Sequence, residues 1–288
     1  MSAALATLDA RTTLARPELA AQALEGLVRA RRFVEPTPMQ VKAPACPLRT
    51  SPAPGAEQAS ELLFGEPFDV LEIVGELAFG QALRDGYVGY APAAALAPAG
   101  EAATHRVIAP ATFALERPSI RAADMGPLSL NSLVRVIEEN DRFLLAEGAG
   151  WIPRPHLMPI GEAFESDPCR VAERLIGIPY RWGGRTSAGL DCSGLVQQAW
   201  FAAGLACPRD SDQQAQIGGA VEADDLQRGD LVCWKGHIGL MLSRRELLHA
   251  NAHHMAVARE PLAQAVARIA ASEAGPPTGY RRVSELAG

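Results

Sequence analysis

The sequence has no excess of basic charge. It carries 27 Lys and Arg against 33 Asp and Glu, a formal net charge of −6. Binding a phosphate backbone takes clustered cations, and no long basic run is present, which argues against a nucleic-acid partner. No stretch reaches the roughly 18 apolar residues of a membrane span, so no membrane partner is expected. The opening stretch, MSAALATLDARTTLARPELAAQALEGLVRARRF, has no signal-peptide core, because Asp9, Arg11 and Arg16 interrupt every apolar run. The expected location is the cytoplasm. The five cysteines, Cys46, Cys169, Cys192, Cys207 and Cys233, are odd in number and irregularly spaced, with no CxxC. That pattern fits neither a disulfide framework nor a zinc knuckle. Cys46, Cys169, Cys207 and Cys233 read as small buried apolar residues.

What is present divides the chain. Its 288 residues exceed what one compact core usually takes. Residues 1–36 read as an N-terminal helical segment, with Leu19, Ala23, Leu27 and Ala30 on one face and Pro17 near the start. Residues 37–100 and 101–160 read as two copies of one small β unit, with short alternating runs broken by glycine. GYVGYAP in the first copy corresponds to GAGWIP in the second. A repeat of this length with many short strands predicts two small barrels. Residues 161–288 differ: helices first, opened by Asp167 and Pro168, then the strand-like runs DLVCWKG, HIGLMLS, ELLHANA, MAVARE and GYRRV. That order predicts an α+β domain.

Within this last segment lies GLDCSGLVQQAWFAAGL. Leu195, Val196, Ala199 and Trp200 recur at helical spacing, so Asp191, Cys192 and Ser193 fall on the first turn of a helix. A thiol there meets unpaired N–H groups and the positive end of the helix dipole, which favour thiolate. A buried structural cysteine has no need of that place. Gly189 and Gly194 are expected to keep the turn open to a substrate backbone.

A nucleophilic sulfur needs a base. Of six histidines, His105 and His156 fall in the barrel region, where packing or surface roles suffice. His237 opens an alternating run in which Ile238, Leu240 and Leu242 share one face. His249 follows twelve residues later, consistent with the next strand of a hairpin, where it would bond the far ring nitrogen of His237 and fix its orientation. His253 and His254 raise the question of zinc. No carboxylate or second thiolate stands at an obvious ligand spacing, so no metal and no cofactor is expected.

The ordered motifs PYRWGG, DCSGLVQ, PRDSDQQ, LQRGDLVCW, GHIGL and LLHA resemble the NlpC family of papain-like peptidoglycan endopeptidases, over about residues 167–284. With the paired repeats, which resemble bacterial SH3-like domains, the implied fold is multidomain: two small SH3-like β-barrels followed by an α+β papain-like cysteine peptidase domain. The resemblance implies Cys192 as nucleophile, His237 as base, His249 as third member and Tyr180 as an oxyanion donor beside the Cys192 N–H. It implies Asp191, Ser193, Trp182, Asp210 and Ser211 along the substrate groove, with Asp191 as counter-charge to a free L-Ala ammonium. Arg209 is expected to pair with a carboxylate of protein or substrate, and Asp210 also reads as a helix N-cap. Tyr87 or Tyr90 of the first barrel, with Glu57, Glu61 or Glu66, is implied to cap the peptide's amino end.

The activity implied is hydrolysis of the γ-D-glutamyl–L-diamino acid bond of short murein peptides, in cell-wall peptide recycling. Two alternatives stand beside it: a papain-like amidase or acyltransferase acting on another amide, and a non-catalytic wall-binding module. The sequence sets neither the oligomeric state nor the choice between diaminopimelate and lysine.

Overall fold

The computed structural model describes residues 8–162 and 165–283; residues 1–7, 163–164 and 284–288, including the two ends of the chain, lie outside the described residues. The chain divides into two compact units, 1–102 and 103–288.

In the first unit, a seven-stranded antiparallel sheet has the strand order 96–98, 37–41, 67–74, 77–82, 88–92, 45–49, 58–63. Alternating side chains such as Phe68, Val70, Ala78 and Ala82 fill its interior with Leu48 and Leu62. Among its described residues the N-terminal segment forms no α-helix, contrary to the 3–4 pattern of its apolar residues. It forms short strands at Ala15–Arg16, Leu19–Ala21 and Phe33–Val34, with a single 3-10 turn at Gln22–Leu24. Leu19 is wholly buried whereas Leu27, expected on the same face, is mostly exposed. Three consecutive residues, Leu19, Ala20 and Ala21, are buried together, which one helix face cannot provide. Leu14 and Ala21 pack on Phe79 and Tyr90, and Arg16 and Arg32 both pair with Glu72. Tertiary packing on the barrel thus overrides a weak helical propensity, and the segment belongs to the first barrel's unit.

The second unit opens with eight short strands between His105 and Pro159, in a three-stranded and a five-stranded sheet. The repeat seen in the sequence has a structural counterpart. GYVGYAP and GAGWIP supply strands Val88–Pro92 and Gly150–Pro153, and each runs into a 3-10 turn and a short strand.

Helices α1 (Pro168–Glu173), α2 (Cys192–Ala202) and α3 (Ser211–Gln214) follow. Then comes a six-stranded antiparallel sheet ordered 219–220, 279–282, 231–234, 237–241, 246–251, 256–261. The expected order of helices before strands needs two corrections: the short paired strands Arg185–Thr186 and Gly189–Leu190 stand between α1 and α2, and α4 (Leu262–Ala270) stands between the last two strands. Every residue of α2 is buried, not just the face carrying Leu195, Val196, Ala199 and Trp200. One side packs on the sheet through Ile238, Leu240 and Leu248. On another, the Asn131 amide donates to the Gln198 carbonyl (2.9 Å) and its side-chain oxygen (2.7 Å). A helix enclosed all round holds its first turn firmly, and that turn carries Cys192.

Candidate active site

Asp191 is the N-cap of α2, and its carboxylate organises the turn. Oδ1 accepts from the Gly194 N–H (2.6 Å), the Ser193 hydroxyl (3.2 Å) and Arg209 Nη1 (3.0 Å). Oδ2 accepts from the Gly183 N–H (2.9 Å) and Arg209 Nη2 (2.6 Å). Arg209 therefore grips Asp191 in a buried bidentate pair and also donates to the Ser193 hydroxyl (2.8 Å). This corrects the role expected of Asp191. Its charge is matched by a guanidinium of the same chain, so it is not free to balance a substrate ammonium. Ser193 is likewise buried in the network. Gly194 is required for close packing and not for openness: a Cβ there would run into the Gly184 carbonyl.

Cys192 is 7% exposed. Backbone N–H groups of Ile238 and Ser193, together with Arg209, favour its thiolate, but burial and the neighbouring Asp191 charge outweigh them and push the thiol up to about 12. Desolvation thus opposes what the helix start offers the thiolate. The sulfur nevertheless meets the sheet at a telling place. Ile238, whose N–H reaches it, directly follows His237, the first residue of strand His237–Met241.

His237 Nε2 lies 2.8 Å from His249 Nδ1, and His249 Nε2 lies 2.6 Å from Glu260 Oε1. Glu260 in turn pairs with Arg268 of α4. Register explains the line. Leu240 pairs with Leu248 and Met241 with Leu247, while His249 faces Ala258 and Leu247 faces Glu260. Each member of the line thus sits diagonally, two residues along, from the last on the same sheet face. Gly239 clears the way, since a Cβ there would stand 3.3 Å from that of His249. Burial pushes both imidazoles down to about 3, helped for each by Arg268 and for His237 by His249. Burial thus favours the uncharged form of the Cys192 thiol and of both imidazoles.

Glu260 and Arg268 were missed in the sequence, as was the helix that carries Arg268. The alternation of AVAREP offers the one signal, placing Glu260 on the face shared with Ala258. Glu260 also supplies the carboxylate that ligand spacing did not reveal: His249, His254 and Glu260 present ligand atoms within 4.8 Å of one another. Arg268 already neutralises that carboxylate, which disfavours a cation.

The remaining candidates divide. Tyr180 is half-buried against the same core as Cys192, and burial, Cys192 and Asp191 push its hydroxyl up to about 12. Trp182 is 59% exposed. Asp210 caps α3 in a reciprocal box with Gln213, and Ser211 is the first residue of that short helix. Tyr87 and Tyr90 belong to cores of the first unit, and the Tyr90 hydroxyl accepts from Arg16 (3.0 Å). His253 and His254 are exposed, with their rings in edge contact 4.8 Å apart.

Residues 177–269 match the NlpC/P60 family, and residues 48–96 match the bacterial dipeptidyl-peptidase Sh3 domain. The chain is 30% identical over 133 residues to a gamma-D-glutamyl-L-lysine dipeptidyl-peptidase of Bacillus subtilis, 42% of this chain and 45% of that one. It is 36% identical over 81 residues to the murein DD-endopeptidase MepS/murein LD-carboxypeptidase of Escherichia coli, 26% of this chain and 43% of that one. The match spans less than half the length of either relative. An NlpC/P60 family protein from Bacillus cereus shares the fold, with a TM-score of 0.71 at 18% identity over 85% of this chain and 99% of its own. With the sulfur at a helix start and a line of histidines on the adjoining sheet, the chain carries an NlpC/P60 domain, of a family of cysteine peptidases, behind a bacterial dipeptidyl-peptidase Sh3 domain.

Proposed function

We propose that this chain is a cysteine endopeptidase that hydrolyses the γ-D-glutamyl–L-diamino acid bond of short murein peptides bearing a free N-terminal L-Ala, in cytoplasmic recycling of cell-wall peptides. Diaminopimelate or lysine is the diamino acid. The observation that carries the reading is the buried line His237–His249–Glu260 ending beside the Cys192 turn. A space-filling cysteine needs no such line. The Sh3 match and the relatives named for γ-D-glutamyl-L-lysine cleavage support the substrate class.

In this reading Cys192 Sγ attacks the γ-carbonyl while His237 takes the thiol proton. The Cys192 N–H and the Tyr180 hydroxyl hold the oxyanion. His237 returns the proton to the departing amine, and water then clears the thioester. Trp182, exposed beside the turn, serves as a groove wall, with Asp210 and Ser211 at its rim. Because Arg209 satisfies Asp191, the L-Ala ammonium needs another acid.

Mass spectrometry of products from L-Ala-γ-D-Glu-diaminopimelate and its lysine analogue tests the reading. L-Ala-γ-D-Glu should be released, N-acetylation of L-Ala should block release, and Cys192→Ala should lower kcat by at least about 10³-fold. An intact tripeptide between pH 6 and 9 refutes the substrate.

A further inference from the structure

We propose that Glu260, clasped by Arg268, is a positioning residue that fixes the tautomer of both histidines and leaves His237 Nδ1 as the atom that accepts a proton. The inference rests on the reading of His237 as the base, and it extends that reading to two residues outside the Cys–His–His set. It follows from hydrogen-bond bookkeeping along the line.

An ionised carboxylate has no proton to give. The Glu260 carboxylate is paired with the guanidinium of Arg268. The nitrogen 2.6 Å from it, His249 Nε2, must therefore carry a hydrogen. His249 is fully buried, and burial disfavours its charged form, so its other nitrogen is bare. That bare Nδ1 lies 2.8 Å from His237 Nε2, which must then be the donor. His237 is held neutral by the same desolvation, which leaves its Nδ1 without a hydrogen. A single fixed charge at Glu260 thus sets the direction of two hydrogen bonds in series and ends with a free lone pair on the base. Were the carboxylate replaced by a donor, each bond would reverse, and His237 would carry its proton on Nδ1, useless for accepting one.

The geometry also explains why α4 stands where it does. Ala265 and Ile269 bury one face of it against Trp234, Met241 and Leu247. Arg268, beside Ile269, is thereby held over the end of strand Ala256–Pro261, where Glu260 is the last residue but one.

The test uses the full chain with ¹⁵N-labelled histidine. Two-bond ¹⁵N–¹H correlation at pH 7 reads each tautomer without substrate; His237→Gln and His249→Gln variants assign the signals. In the unmodified protein both rings should be Nε2–H tautomers. In Glu260→Leu, which keeps the volume and removes the one oxygen that His249 Nε2 and Arg268 Nη2 share, the Nε2–H preference should be lost and Nδ1–H forms of both rings should appear. Alkylation of Cys192 by iodoacetamide, read on its tryptic peptide, should slow by at least about 10-fold, since the base is lost. Arg268→Lys keeps a cation on Glu260 and should retain the unmodified tautomers. A His237 Nδ1–H signal in the unmodified protein overturns the proposal. So does a Glu260→Leu protein with unchanged tautomers and alkylation rate. None of these readouts involves a peptide substrate, so a wrong substrate assignment would leave them standing.

Discussion

Two acid–arginine pairs flank the candidate centre, one buried and one with a half-buried arginine, and they do different work. Asp191–Arg209 lies on the cysteine side. Both oxygens of the acid are held by Arg209, and both also accept from the backbone of the α2 turn or the PYRWGG loop. Glu260–Arg268 lies on the histidine side, and its acid spends an oxygen on an imidazole. The first pair locks backbone, fixing where the sulfur stands. The second orients a ring, fixing which nitrogen is bare. The same two residue types thus give rigidity in one place and directionality in the other. What distinguishes them is the neighbour the carboxylate is given.

The sharpest way to break this comparison is to remove the cation of the first pair. Arg209→Met leaves Asp191 charged and buried at the N-cap. Losing one partner of a buried pair costs about 3–5 kcal/mol, so chemical denaturation should show a stability loss of that order. A loss below about 1 kcal/mol would mean that backbone donors alone satisfy Asp191, and the pair would not be what holds the turn.

The histidine side is probed by pH. His237 and His249 are pushed down to about 3 in the folded chain, against about 6.5 unfolded. Between these values the unfolded chain binds more protons, so stability falls as pH drops from about 6.5 toward 3 and is fully present above 6.5. His249→Gln removes one of the two titrating rings. Its stability should lose about one proton's worth of slope relative to the unmodified protein between pH 6.5 and 4.5, read from urea unfolding midpoints. Parallel slopes would show that His249 titrates normally and that burial does not hold it neutral.

How far the sequence revealed these regions follows from the range of the interactions. The α2 start was legible because an N-cap, a cysteine and a 3–4 apolar pattern are local. The His237–His249 bond was legible because both residues lie on neighbouring strands of a short hairpin. Asp191–Arg209 was only half legible. Arg209 stood out as a carboxylate partner, but eighteen residues and a helix separate it from Asp191, so protein and substrate acids could not be told apart. Glu260 and Arg268 were not legible, because their meaning depends on a strand register and on α4, whose apolar residues read as no distinct element. The N-terminal segment failed for a related reason. Leu19, Ala23 and Leu27 are correctly spaced for a helix, yet the barrel surface under Leu14 and Ala21 selects strands. The thiolate expectation weighed the helix start alone, whereas the enclosure of α2 adds a desolvation that pushes the Cys192 thiol up.

A third acid–arginine cluster in the same unit supplies the smallest expected effect and the control for both pairs. Arg228 donates from Nε to Asp167 (2.8 Å) and from Nη2 to Glu173 (2.8 Å), distances close to those of the buried Asp191–Arg209 pair. Its side chain is 36% exposed and those of its partners 31% and 27%. Water already screens these charges and solvates them when parted, so an exposed pair contributes about 0–1 kcal/mol. Arg228→Gln should therefore change the unfolding free energy by less than about 1 kcal/mol and leave Cys192 alkylation unchanged. Comparison with Arg209→Met then isolates burial as the variable, since hydrogen-bond length is nearly constant. If Arg228→Gln costs as much as Arg209→Met, enclosure is not what separates Asp191–Arg209 from the surface, and the argument that desolvation acts on Cys192 beside it loses its physical basis.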